Sequence, residues 1–225
     1  MIVFGILGHA KAGKDTCVDY VLRTIDMKQL NGDFKGKAIE DCTQFKVAIA
    51  DGIRDVAKAI GFKQYQLNDQ SLKEKIDPVL GISPRQAMQG IGSAFRNTFG
   101  ADFWLENFKR RIGCYKDESH GTILYVTDLR LPREIEWLKE HFDATIIKIE
   151  RPDLDLEAPM YQHHTEKFVD MIGYDRLVVN DGTLKDLYRK LNREIEYVVE
   201  VCECKFRERY DKYHDKLAKG DPKDE

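Results

Sequence analysis

The sequence predicts an α/β protein of three layers, a parallel sheet with helices on both faces. Two observations carry that prediction. Short apolar runs rich in β-branched residues alternate with stretches of helical period, the order that builds a helix-flanked parallel sheet. The first run, MIVFGIL, also empties into the glycine-containing loop GHAKAGK, and a helical pattern begins at once. Strand, loop of small residues and helix N-terminus in that order make a cradle for phosphate.

Taken in order, residues 1–7 read as a buried strand because they are apolar without alternation. The loop that follows has the spacing GxxxxGK from Gly8 to Gly13 and Lys14, with Lys11 and Ala12 inside it. Backbone N–H groups wrap a polyphosphate only where side chains are small or point away, and Lys14 supplies a mobile cation for the phosphates. The next residue is Asp15, where Ser or Thr usually meets Mg²⁺, and Thr16 follows. A carboxylate beside a triphosphate repels it unless a cation lies between. Asp15 therefore reads either as a direct or water-mediated Mg²⁺ ligand, or as an acidic first-turn residue favoured by the helix dipole. Cys17, Val18, Val21, Leu22 and Ile25 then recur at helical spacing and predict a helix packed on the sheet.

Residues 31–41 are polar, with a weak second strand at 37–39, and residues 43–60 resume a helical period through Phe45, Ala48, Ile49, Ile53, Val56 and Ile60. Gly61 is the natural stop. Residues 62–77 lack a strong period, and Pro78 and Gly81 mark a loop, a stretch suited to a lid or substrate flap. Ser83 as N-cap and Pro84 at the first helical position open a helix that Gly100 closes, and Asp102 caps another over 103–112. TILYVT at 122–127 is a second buried strand, delivering Asp128, Leu129 and Arg130, and Pro132 starts a helix to about His141. Residues 144–149 form a strand ending at Glu150, Arg151 and Pro152, and 176–179 form the last strand, ending at Asn180, Asp181 and Gly182. A long charged helix runs from Leu184 to about His214, with a frayed tail at 220–225.

The chain of 225 residues is long enough for one main domain, 1–225, with a helical substrate-binding or lid portion at about 62–112 and a charged extension at 192–225. The net charge of −3 disfavours a protein that coats nucleic acid, and leaves anion binding to locally placed Lys and Arg. Five scattered cysteines, an odd number, suit free thiols in a reducing cytoplasm. Cys202 and Cys204 would point in different directions from one helix, and His163 with His164 lacks a ligand partner at a convincing spacing, so no metal centre is expected there. No apolar run approaches the ~20 residues that cross a bilayer.

The ligand of such a fold lies beyond the strand carboxyl ends. Four features converge on that edge or near it. Asp128 and Arg130 leave a buried strand with Glu134 one turn beyond: a carboxylate for Mg²⁺ or a hydrogen-bonding ligand, and a guanidinium fork for phosphate, against the alternative of a strand-end ion pair. Arg85, Gln89 and Arg96 recur along one helix, with Gly92 and Ser93 allowing close approach and Trp104 offering a flat surface for a base, unless it is a core tryptophan. Arg151 can reach a transferring phosphoryl group, or be an ordinary surface arginine. The NDG at Asn180 to Gly182 can frame adenine, or be a plain turn.

GxxxxGKDT at Gly8 to Thr16, RQAMQGIGS at Arg85 to Ser93, FGADFW at Phe99 to Trp104, TDLR with Glu134, HHTE at His163 to Glu166 and VVNDGTLKDL at Val178 to Leu187 together resemble the bacteriophage deoxynucleoside monophosphate kinases. The resemblance runs in order to about Leu191. It implies a P-loop nucleoside monophosphate kinase fold that transfers the ATP γ-phosphoryl group to a deoxynucleoside monophosphate in the (host) cytoplasm. By the same resemblance, the loop Gly8 to Thr16 holds ATP and Mg²⁺. Lys11, Arg85, Gly92, Ser93, Trp104, Asp128, Arg130 and Glu134 then match the monophosphate site. Phosphomevalonate kinase, with a GKD loop and a DxR strand end, is the nearest enzymatic rival, and a nucleotide-dependent switch is the non-enzymatic one. Monomer and homodimer are both open.

Overall fold

The structure, a computed structural model, describes residues 1–69, 71–115, 121–157, 161 and 166–218, with side chains to residue 208. The expectations about His163, His164 and the tail at 220–225 lie outside the described residues. In chain order the elements are β1 (Ile2–Leu7), α1 (Lys14–Leu30), β2 (Thr43–Val47), α2 (Asp51–Ala59), α3 (Gln64–Asn68), α4 (Pro84–Phe99) and α5 (Phe103–Ile112). There follow β3 (Thr122–Leu129), α6 (Pro132–Phe142), β4 (Thr145–Glu150), β5 (Arg176–Val179) and α7 (Leu184–Ala218). The chain divides into two compact units, Met1–Lys46 with Asp117–Glu225, and Val47–Lys116.

The first unit carries the sheet, five strands in the order β2-β3-β1-β4-β5, all parallel. Central β1 pairs with β3 from Ile2 opposite Ile123, and with β4 from Phe4 opposite Thr145. Its alternation sorts the layers. Ile2, Phe4 and Ile6 join Val18, Val21 and Ile25 of α1 and Leu191, Ile195 and Val198 of α7 in one core. On the other face Gly5 is hemmed in by Leu129, Ile146 and Leu138, so a side chain there would collide with the layer that α6 covers. Helices on both faces leave the strand carboxyl ends as the open edge. The last strand turns into α7 through reciprocal bonds between Thr183 and Asp186 that satisfy the helix start.

Two sequence expectations are corrected here. Residues 37–39 form turns, not a strand, and the second strand is Thr43–Val47 in what the helical period claimed. Thr43, Phe45 and Val47 alternate with the polar Gln44 and Lys46, and so short a stretch satisfies both periods; pairing beside β3 decides, with the Thr43 N–H donating to the Gly121 carbonyl. The helix begins only at Asp51, whose carboxylate accepts the Ala48 N–H.

The second unit is helical. Ser83 caps α4 by accepting the Gln86 N–H, and Gln86 returns a bond to the Ser83 N–H. Within 62–77, read as aperiodic, the short helix α3 places Leu67 with Phe62, Ala57 and Ala87 in a small core. Asp69 and Asp77 then turn the chain by accepting backbone N–H groups two and three residues on.

Candidate active site

The loop after β1 is shaped by its glycines. Gly8 has φ +151°, and a Cβ there would sit 2.3 Å from the Ile149 carbonyl oxygen, so only glycine lets β1 and β4 close at this point. Gly13 is left-handed at φ +102° and Lys11 at φ 60°, a backbone conformation rare for a side-chain-bearing residue. Asn180 braces the bend from the far strand: its Nδ2 donates to the Ala12 carbonyl at 3.0 Å while its own N–H donates to Glu150. The residue that reads as a wall of the adenine site thus also holds the loop.

Lys14 is buried at the first turn of α1, its Nζ donating to the carbonyls of Gly8 at 2.6 Å and His9 at 2.7 Å. Burial lowers its pKa from 10.5 to about 8; the Arg130 guanidinium adds to that, and the Glu166, Asp15 and Asp128 carboxylates oppose it. Lys14, Arg130, Asp15 and Asp128 therefore share one electrostatic neighbourhood.

Glu166, quoted in the HHTE motif but given no role, sits at the centre of this edge. Its carboxylate is 1% exposed and faces three donors. Oε2 accepts the Ala10 N–H at 3.2 Å and lies 3.1 Å from His9 Nδ1, and Oε1 accepts from Arg130 Nη1. The other His9 nitrogen lies 3.0 Å from Asp170, which also takes Lys148 Nζ at 2.9 Å. The Tyr161 hydroxyl donates to the Ala10 carbonyl. His9, Lys148, Glu150, Arg151, Leu154 and Asp170 line a cavity of about 280 Å³ beside the loop, with Arg151 exposed. Lys148 and Asp170 stand in no spacing that marks phosphate chemistry, and His9 occupies an unspecified position of the Gly8 to Lys14 loop.

One expected role changes. Glu134 does not present a free carboxylate to substrate: its Oε2 accepts the N–H groups of Arg130 at 2.8 Å and Leu131 at 3.0 Å, capping α6. Burial raises that carboxyl to about 7; Asp128 adds to the rise and the two N–H bonds oppose it. Asp15 is exposed and pairs with Lys46 at 3.3 Å. No cluster of three His, Cys, Asp or Glu able to hold a metal occurs among the described residues. Mg²⁺ takes one or two carboxylates together with substrate phosphates and water, and the carboxylates of Asp15 and Asp128 near Lys14 are a donor set of that kind. Asp15 and Asp128 are the residues that would hold it.

In the helical unit Trp104 is 3% exposed and its Nε1 donates to the Gly92 carbonyl at 3.1 Å. Phe95 and Phe103 pack against its ring, so the core reading replaces the base platform. Gly92 is small for a packing reason: a Cβ would meet Ile53 at 3.3 Å and the Arg96 guanidinium at 3.5 Å. Ser93 is exposed, and Arg85 is tied to Glu74 through Nε while its N–H donates to the Lys73 carbonyl. Arg54, which sequence reading passed over inside a helical repeat, binds Asp51 through Nη1 and has its Nε buried without a partner.

The five cysteines are free thiols, with Cys202 buried and Cys204 exposed as one helix requires. No helix among the described residues is long and apolar enough to cross a membrane.

A parallel sheet in this strand order, with a glycine-rich loop bearing Lys14 after its central strand and Asp128 and Arg130 at the end of its neighbour, is the three-layer architecture of the P-loop kinase fold. The family model for deoxynucleotide monophosphate kinase matches residues 36–191. The protein belongs to that family: it is an ATP-dependent phosphotransferase acting on deoxynucleoside monophosphates. A search of curated proteins gives no match to the chain. The matched span begins after the loop from Gly8 to Lys14. The family match also displaces the phosphomevalonate alternative, against which Trp104 no longer counts.

Proposed function

We propose that the loop from Gly8 to Thr16 takes the ATP phosphates, with Lys14 as the principal cation, and that Arg130 and Arg151 meet the phosphoryl group in transit. The observation that carries this is geometric: the loop with left-handed Lys11 and Gly13 folds its carbonyls onto the Lys14 ammonium, and Glu166 joins that loop at the Ala10 N–H to the Arg130 guanidinium. Bound Mg²⁺ supplies charge neutralisation between the phosphates, held from Asp15 and Asp128. Lys11 is exposed on the same loop, and backbone groups from Asn180 to Gly182 are the adenine contacts.

For the acceptor, Arg85, Ser93 and Arg96 on α4 are the proposed phosphate-binding groups. A phosphate monoester is already an anion at neutral pH, its second pKa being about 6, so no general base is required. The chain's own residues act by holding two anions in line and absorbing the charge of a loose transition state.

A coupled ADP-release assay with ATP, Mg²⁺ and a panel of dGMP, dTMP, dCMP, dAMP and phosphomevalonate tests the reading. Turnover with at least one deoxynucleotide and none with phosphomevalonate is expected. ADP release that no monophosphate accelerates would point to a switch instead.

A further inference from the structure

The carboxylate of Glu166 joins two parts of the candidate site that the chain keeps far apart. Its partners His9 and Arg130 are 157 and 36 residues away in sequence. One belongs to the phosphate loop and the other to the end of β3. An ionised carboxylate at 1% exposure is strongly disfavoured unless its oxygens are satisfied by charged or backbone donors, and here both are. The pair is directional: Glu166 stands in a six-residue 3-10 helix, Glu166–Met171, that has a second anchor in Asp170, which accepts from Lys148 of β4. The carboxylate is thus a fixed point and Arg130, one-third exposed, the group it orients.

We infer that Glu166 is a positioning residue that sets the plane of the Arg130 guanidinium for phosphoryl transfer, and this rests on the reading of Arg130 given above. A guanidinium carries five N–H donors in a rigid fork. Engagement of Nη1 by Glu166 fixes that fork in space without exhausting its capacity for a phosphate. Without the carboxylate, an arginine on a flexible stem samples many rotamers, and the ordering falls on the reaction step. The backbone end of the same arginine is held separately by Glu134, which accepts its N–H, so Arg130 is clamped at both ends.

The test is a double-mutant cycle on kcat with saturating ATP, Mg²⁺ and the best deoxynucleotide: wild type, Glu166→Gln, Arg130→Ala and the double variant. Glu166→Gln is expected to lower kcat about 10-fold or more while the Kd for a fluorescent ATP analogue, measured without acceptor, moves much less. In the Arg130→Ala background the same change is expected to add no further loss. Multiplying losses, or a collapse of ATP binding, would mean that Glu166 serves the loop rather than Arg130 and would overturn the inference. Wild-type turnover in Arg130→Ala removes the reading of Arg130 and this inference with it. A crippled Arg130→Ala beside an unimpaired Glu166→Gln removes this inference alone. Should Glu166→Gln fail to fold, Glu166→Asp carries the cycle, retaining the charge one methylene short of its partners.

Discussion

Lys14 is folded back on its own loop, its Nζ 2.6 Å from the carbonyl oxygen of Gly8. The carbonyls hold the ammonium where the phosphate oxygens of a nucleotide would replace them. Lys14→Ala is expected to lower kcat by roughly 10²-fold or more, as loss of a transition-state charge donor does. The melting temperature should hold, because a buried, partly desolvated cation is removed. Steady-state kinetics with a parallel thermal melt checks both.

The same lysine predicts a proton linkage. Burial holds it at about 8 in the free protein, against 10.5 ordinarily, and surrounding phosphates favour the ammonium. ATP binding should therefore take up a proton between those two values and not at pH 7. Calorimetric titrations at pH 8.5 in buffers of different ionisation enthalpy should show uptake of roughly half a proton or more, lost in Lys14→Met.

Glu134 predicts a pH dependence of stability. Its folded carboxyl lies near 7 rather than 4.5, so the folded state binds a proton that the unfolded chain has released in that interval. The contribution is complete below about 4.5 and is lost as pH rises through about 7. Glu134→Gln keeps an oxygen for the two N–H groups and removes the charge. Its melting temperature relative to wild type should climb from pH 5 to pH 8, and parallel curves would refute the assignment.

Gly8→Ala tests the close approach of β1 and β4. A methyl group 2.3 Å from the Ile149 carbonyl forces the loop or the strand to move. Loss of ~2 kcal/mol or more in urea denaturation is expected, together with loss of ATP binding.

Trp104→Phe separates core from binding site. Removing the Gly92 bond and part of the ring should cost about 1–2 kcal/mol and leave the KM for the deoxynucleotide nearly unchanged. A large rise in KM at intact stability would restore the base platform.

The layers, the glycine-bounded loop before α1 and most helix boundaries are legible from local pattern, because these are short-range matters. Apolar runs, Ser83 with Pro84, and the spacing from Gly8 to Lys14 act within a few residues of themselves. Tertiary structure decided what local pattern could not. Thr43–Val47 became a strand because an edge beside β3 was there to pair with. Trp104 went to a core and Glu134 to a helix cap because their partners happened to be apolar rings and backbone N–H groups. Glu166 acquired its place only when folding brought Ala10, His9 and Arg130 around one carboxylate, a meeting of distant residues that no spacing along the chain encodes.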